Sequence, residues 1–199
     1  SVPKDVSNML VNHKTTPKWG DYKGNYFIYS KENNTFYVLN SKHQIMDSIP
    51  GLRGITKGDF ANTSDVNADR TSQKYTATTP GGNYAFGKVW KDKETLTEYD
   101  TPFYEFSKQG NDYLGVHGIY KGDFNLREQA LKSPEVAKKL YSYGCINIPK
   151  EFLTKYSPNT GDSLFITLEP ETYKAIEKVK KTQKSAPLEV SKGIYMSPE

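Results

Sequence analysis

Short apolar bursts separated by polar turns run through most of this chain, and they predict strands. Tyr26-Phe27-Ile28-Tyr29 is one burst, Lys31-Glu32-Asn33-Asn34 a turn, and Thr35-Phe36-Tyr37-Val38-Leu39 a second burst. Asn40-Ser41-Lys42 turns again and Gln44 to Ile49 follows, so the segment from residue 25 to 49 reads as a β-meander. Residues 61–74 are polar and read as a surface loop, and Thr78-Thr79-Pro80-Gly81-Gly82-Asn83 carries a turn signal. Tyr84 to Trp90 and Pro102 to Phe106 read as further strands. Asn111-Asp112 then turns into Tyr113-Leu114-Gly115-Val116-His117, a strand that ends on a histidine.

The pattern turns helical from residue 125 to 141. Ser133 suits an N-cap, Pro134 a first helical position, and Glu135 the positive end of the helix dipole. Val136 and Leu140, four apart, would share a face, and Gly144 follows as a stop. Pro149 opens a short helix through Tyr156, Asn159-Thr160-Gly161-Asp162 turns, and Ser163 to Leu168 reads as a closing strand. From Pro170 to Lys184 the chain reads as an exposed helix, with Tyr173, Ile176 and Val179 as one apolar stripe against a lysine-rich face. That stripe suits packing on the domain, or a partner. The expected organisation is an N-terminal arm (1–24), a β-rich domain (25–168), and a C-terminal helix with a loose tail (169–199). The expected fold class is mainly β, a β-rich α+β domain.

Composition agrees. Aromatic residues make up 13% of the chain, including 15 Tyr and 9 Phe, and these favour strands. No apolar run reaches the roughly 20 residues needed to span a bilayer, so the chain is not expected to be transmembrane. The net charge of +4 reads as a solvated lysine surface or as weak attraction to an anionic polymer. Arginine occurs only at Arg53, Arg70 and Arg127, with no basic stripe, and nucleic acid is therefore not an expected partner. A single cysteine excludes an internal disulfide and cysteine-based zinc sites. His13, His43 and His117 lack metal-ligand spacing, so no metal is expected. The chain starts at Ser1 without a charged-then-apolar leader, which reads as a mature or trimmed product and permits export.

Two segments carry candidate chemistry: Val116-His117-Gly118 and Ser142-Tyr143-Gly144-Cys145-Ile146-Asn147. A thiol with an ordinary pKa of about 8.5 is little ionised at neutral pH. A neighbouring imidazole can take its proton and return it to a leaving amine. Gly144 lets the backbone bend so that successive N–H groups point at one spot, as a tetrahedral oxyanion requires. On spacing alone, Cys145 reads more readily as a small core residue and His117 as a structural one.

These segments resemble the catalytic domain of the L,D-transpeptidases, the YkuD-type peptidoglycan cross-linking enzymes. That family carries a histidine followed by glycine or serine, then Ser/Thr-His-Gly-Cys-hydrophobic-Asn/Arg. Thr79-Pro80-Gly81-Gly82-Asn83-Tyr84 resembles its upstream Thr-Pro-x-Gly segment, and Gly161-Asp162 before the last strand resembles its C-terminal turn. The resemblance runs over about residues 25–168 and implies a β-sandwich or open barrel with a few short helices. It implies Cys145 as nucleophile, His117 as base and then acid, and the Gly118 carbonyl as the group orienting the imidazole. It further implies an oxyanion hole from the N–H groups of Tyr143, Gly144 and Cys145, with Ser142 and Asn147 bracing the loop or contacting substrate. No cofactor is implied. The partners implied are peptidoglycan stem peptides containing meso-diaminopimelate, and the location is the periplasm or cell envelope.

Two departures from the pattern stand out. Tyr143 replaces the family's second histidine, and the His-to-Cys spacing is longer, with the extra residues around Lys121–Lys139. That insertion reads as helical and adjacent to the cleft, able to lid it or narrow the donor pocket. Three functions follow: transfer of a tetrapeptide acyl group to an amine, hydrolysis of the same acyl-enzyme by a carboxypeptidase or wall-cleaving hydrolase, or wall binding by an inactive module. The intact Cys, His and Gly positions argue against the last.

Overall fold

The structure, a computed structural model, describes residues 2–15 and 24–185. Within the stretch read as an arm, helix α1 (Lys4–Thr15) forms. Its Val6, with Met9 and Leu10, packs on Tyr26, Ile28, Tyr37, Leu39 and Phe165. Asp5 in its first turn accepts from Ser30 Oγ at 2.9 Å, and burial raises its carboxyl pKa. The predicted meander follows as β1 (Tyr26–Ser30), β2 (Thr35–Leu39) and β3 (Ile45–Pro50). The short β4 (Arg53–Gly54) comes next, and the predicted polar loop separates it from β5 (Gly82–Ala85).

The segment from Tyr84 to Trp90 is not one strand. It divides into β5 and β6 (Val89–Trp90), which belong to different sheets, so Phe86 to Lys88 carries the chain across the core. Gly82 and Asn83, expected in a turn, lie inside β5. Helix α2 (Lys93–Tyr99) was not expected; Asp92 caps it by accepting from the Thr95 N–H. Strands β7 (Phe103–Gln109) and β8 (Asp112–His117), each read from the sequence over a shorter span, pair as a hairpin, with Asp112 inside β8 rather than in the turn.

The helix expected over residues 125–141 is shorter. It runs as α3 (Phe124–Lys132), preceded by a 3-10 turn at Lys121–Asp123, and stops at Ser133. Ser133 is extended (φ −66, ψ 137), because a residue before proline is driven out of the helical region. A 3-10 turn over Val136–Lys139 then leads into β9 (Leu140–Ser142), a strand on β4, so Val136 and Leu140 share no helical face. The chain closes with β10 (Ile146–Asn147), α4 (Lys150–Lys155), β11 (Ser163–Ile166) and α5 (Pro170–Ser185). The tail expected after this helix lies outside the described residues. Among the described residues no helix is long and apolar enough to cross a membrane.

The result is a β-rich α+β fold. A five-stranded sheet has the order β3-β2-β1-β11-β5, and a four-stranded sheet the order β10-β8-β7-β6. One core fills the space between them: Phe27, Tyr29, Phe36 and Leu164 from the first sheet meet Tyr104, Phe106, Leu114, Val116 and Ile146 from the second. α1 covers the other face of the first sheet. The opposite face of the second sheet carries His117 and Asn147.

A buried charge cluster joins the ends of these elements. Arg53 donates to Glu169 at 2.6 and 2.8 Å and to Asn34 Oδ1 at 2.8 Å. Lys31 Nζ donates to Asp59 Oδ1 at 2.8 Å, and Asp59 also accepts from Thr172 Oγ1 and the Glu169 N–H. The two cations and two carboxylates balance, and the fork geometry of Arg53 satisfies both oxygens of Glu169. Breaking one partner leaves an uncompensated buried charge. Glu169→Gln is therefore expected to lower unfolding stability by about 3–5 kcal/mol, read by urea denaturation; a loss below about 1 kcal/mol would show that the cluster behaves as a surface pair.

Candidate active site

The register of two short strands builds the site. β10 pairs parallel to β8, with Ile146 opposite Val116 and Asn147 opposite His117. Side chains alternate along a strand, so Ile146 and Val116 enter the core while Asn147 and His117 lie on the opposite face, where Arg127 and Tyr99 cover them. Cys145, just before β10, packs partly against the core and reaches the same cleft. Cys145, His117, Asn147, Ser142 and Tyr143 all line one cleft of about 260 Å³. The candidate residues named from the sequence are therefore brought together, with Gly118 and Gly144 flanking them in the backbone.

His117 is 3% exposed and held on three sides. Its ring stacks on Tyr99, with centroids 3.8 Å apart, and on Phe103 at 5.5 Å. Its Nδ1 lies 2.6 Å from the Gly118 carbonyl. A carbonyl only accepts, so Nδ1 carries the proton and Nε2 keeps the free lone pair. Gly118 must be glycine, because a Cβ there would lie 2.2 Å from the Tyr99 carbonyl at the end of α2. Its N–H donates to Thr101 Oγ1 at 2.7 Å.

The loop before Cys145 is fastened by its neighbours. Ser142 Oγ donates to the Cys145 carbonyl at 2.5 Å and accepts from the Gly144 N–H at 3.1 Å. The Gly144 N–H is thus engaged and is not the free oxyanion donor expected. Gly144 adopts φ +131, and a Cβ there would meet the Thr78 carbonyl at 2.6 Å. Its carbonyl accepts from Thr79 Oγ1 at 2.8 Å, which itself accepts from the Gly54 N–H. Asn62 braces Thr78 from behind, accepting from its hydroxyl at 2.6 Å and donating to its carbonyl at 3.0 Å. Tyr143 stands 57% exposed at the cleft rim.

Cys145 is half-buried, and its Sγ is turned to the Tyr113 carbonyl at 3.9 Å. Among the described residues no hydrogen bond joins it to the imidazole. Catalytic hydrogen bonds are commonly loose in a substrate-free site. Burial pushes the thiol up to about 11 and the imidazole down to about 3. Both shifts favour neutral forms, so the proton rests on sulfur and the pair is not a preformed thiolate–imidazolium.

The sequence reading missed several site residues. Tyr99 arrives on α2, whose only signal was the Asp92–Thr95 cap. Arg127 arrives on α3, inside the insertion, and donates to Asn147 Oδ1 at 2.5 Å and to Asp123 Oδ1 at 2.5 Å. Its guanidinium lies 5.4 Å from the Tyr120 ring and 5.1 Å from the Tyr141 ring. Arg70, from the polar loop, pairs with Asp112 at 2.7 and 3.0 Å on the cleft wall. Among the described residues no group of three or more His, Cys, Asp and Glu side chains is placed to share a metal ion.

The class defined by this geometry is a β-rich α+β domain with a thiol and an imidazole lining one small cleft. No family model and no curated protein matches the chain. Among solved structures, it is similar to an L,D-transpeptidase from Mycobacterium smegmatis, with 14% identity and a TM-score of 0.45, over 72% of this chain and 58% of that one. It is similar to an L,D-transpeptidase from Stackebrandtia nassauensis, with 14% identity and a TM-score of 0.44, over 83% and 66%. The helical cell shape determining protein Pgp2 of Campylobacter jejuni gives 14% identity and a TM-score of 0.47, over 84% and 57%. The chain thus spans 58% of the length of the mycobacterial structure.

The thiol's upward shift has a kinetic consequence. Only the thiolate reacts with iodoacetamide, and Cys145 is the sole cysteine. Its alkylation rate is expected to rise about tenfold per pH unit from pH 6 to 9 with no plateau. A plateau near pH 6 would reveal a preformed ion pair instead.

Proposed function

We propose that the protein is a cysteine-dependent L,D-transpeptidase of peptidoglycan. The observation that carries this reading is the shared cleft: Cys145 and His117 both line it, with Nε2 of the imidazole left free as a base. The Ser-x-Gly-Cys-x-Asn and His-Gly motifs supply the acyl-transfer chemistry.

In the first half-reaction Sγ attacks the carbonyl of the L-to-D amide in a tetrapeptide stem, and its proton passes to His117 Nε2 as the S–C bond forms. From a neutral resting pair the proton must reach Nε2 by the time the S–C bond is formed. The N–H groups of Tyr143 and Cys145 receive the oxyanion, since that of Gly144 is engaged. The C–N bond then breaks, His117 returns the proton to the departing nitrogen, and D-Ala leaves. In the second half-reaction the amine of another stem attacks the thioester, His117 takes the proton lost by that amine, and Sγ leaves and regains it. The Gly118 carbonyl keeps the imidazole in the required tautomer throughout. No cofactor enters, the catalytic unit is the segment from residue 25 to 168, and the protein works in the periplasm or cell envelope.

Incubation with purified muropeptides, read by mass spectrometry, is expected to give cross-linked dimers with loss of D-Ala, and Cys145→Ala is expected to give none. Tripeptides without dimers would assign the same acyl-enzyme to an L,D-carboxypeptidase. Turnover retained in Cys145→Ala would refute the mechanism. A carbapenem is expected to add one covalent adduct, at Cys145, and an unchanged intact mass would count against the acyl site.

A further inference from the structure

Asn147 is fully buried, yet its Nδ2 has no hydrogen-bond partner. Its orientation is not arbitrary. Arg127 Nη1 donates to Asn147 Oδ1, which turns the amide so that the NH₂ end is the one left over. Arg127 is itself held: Nε is bound by Asp123, and the Tyr120 and Tyr141 rings flank its plane. Among the described residues no acceptor takes its Nη2. The other guanidinium of the cleft, Arg70, is spent bidentately on Asp112. Two spare donors, one of them cationic, thus lie beside His117, in the cleft that holds Cys145.

An unpaired buried donor such as Asn147 Nδ2 is costly unless a ligand completes it, and Arg127 Nη2, on a side chain 12% exposed, is open to the same ligand. The position says which ligand. His117 hands its proton to the departing nitrogen, and in an L-to-D stem that nitrogen and a free carboxylate share one carbon. A carboxylate site must therefore lie next to the imidazole, where the Asn147–Arg127 pair stands. We propose that Asn147 Nδ2 and Arg127 Nη2 bind the terminal carboxylate of the leaving D-amino acid, so that the 121–139 insertion makes the cleft specific for stems with a free C-terminus. This rests on the acyl-transfer reading of Cys145 given above. Arg127 both binds and positions: it fixes the amide flip of Asn147 and supplies the charge that a neutral carboxamide lacks.

The test compares a synthetic stem tetrapeptide ending in D-Ala with the same peptide ending in D-alaninamide. The wild-type protein is expected to favour the free acid by about 10- to 100-fold in kcat/KM. Arg127→Ala, and equally Arg127→Gln if the alanine variant fails to fold, should bring that ratio close to one. Arg127→Lys, which keeps the charge without the fork, should restore only part of it. Equal turnover of acid and amide by the wild type, or an undiminished preference in the Arg127 variants, would overturn the carboxylate site while leaving the acyl-transfer reading intact. A protein that turns over neither peptide contradicts the acyl-transfer reading itself. Calorimetric binding of the two peptides to Cys145→Ala then decides the site alone: tighter binding of the acid supports it, and equal binding or none overturns it.

Discussion

Two residues of parallel pairing organise this molecule. Ile146 lies opposite Val116 and Asn147 opposite His117. Because the side-chain period of a strand is two, this register sends Ile146 and Val116 into the core and puts Asn147 and His117 on the opposite face, where with Cys145 they line one cleft. A slip of one residue would turn the Asn147 amide toward Phe and Leu side chains and take Ile146 and Val116, both fully buried, out of the core. The hydrophobic core thereby enforces the geometry of the cleft. The backbone bonds agree: the Ile148 N–H donates to the His117 carbonyl at 3.0 Å, and Leu52 and Asn147 exchange both N–H···O bonds.

Such a short strand pair cannot hold itself, and the rest of the fold supplies the bracing. Arg53, locked by Glu169 and Asn34, anchors β4, and β4 pairs with β9 just before the Cys145 loop. Thr79 holds the Gly144 carbonyl, and Asn62 holds Thr78, so the polar 61–74 segment begins in a buried anchor although most of it is exposed. On the other side α2 lays Tyr99 on the imidazole and α3 brings Arg127 to Asn147. The burial that results favours the neutral forms of the Cys145 thiol and the His117 imidazole.

Where residue pattern and local chemistry agree, the sequence was readable. The meander strands, the β7–β8 hairpin, α4, β11 and α5 all carry either period-two bursts or a clear cap and turn. Cys145, His117 and Gly118 stand out through the resemblance of their motifs, since a lone thiol and a lone histidine read alone as core residues; the structure lines one cleft with the thiol and the imidazole. The failures have physical causes. Pro134 broke a helix that apolar spacing alone had extended through Leu140. Tyr84 to Trp90 reads as continuous β, and nothing local marks the point at which the chain leaves one sheet for the other. Tyr99 and Arg127 act through contacts with residues distant in sequence, which single-chain periodicity does not encode. The engaged Gly144 N–H depends on where the Ser142 hydroxyl points, a rotamer that the motif does not specify.

The proposed thioester on Cys145 is open to direct measurement by rapid mixing with a stem tetrapeptide, acid quenching and intact-mass analysis. The expected result is a transient mass increase equal to the tetrapeptide minus D-Ala, localised to Cys145 by digestion and sensitive to hydroxylamine. Release of D-Ala with no covalent adduct at Cys145 at any time, or an adduct on another side chain, would contradict it.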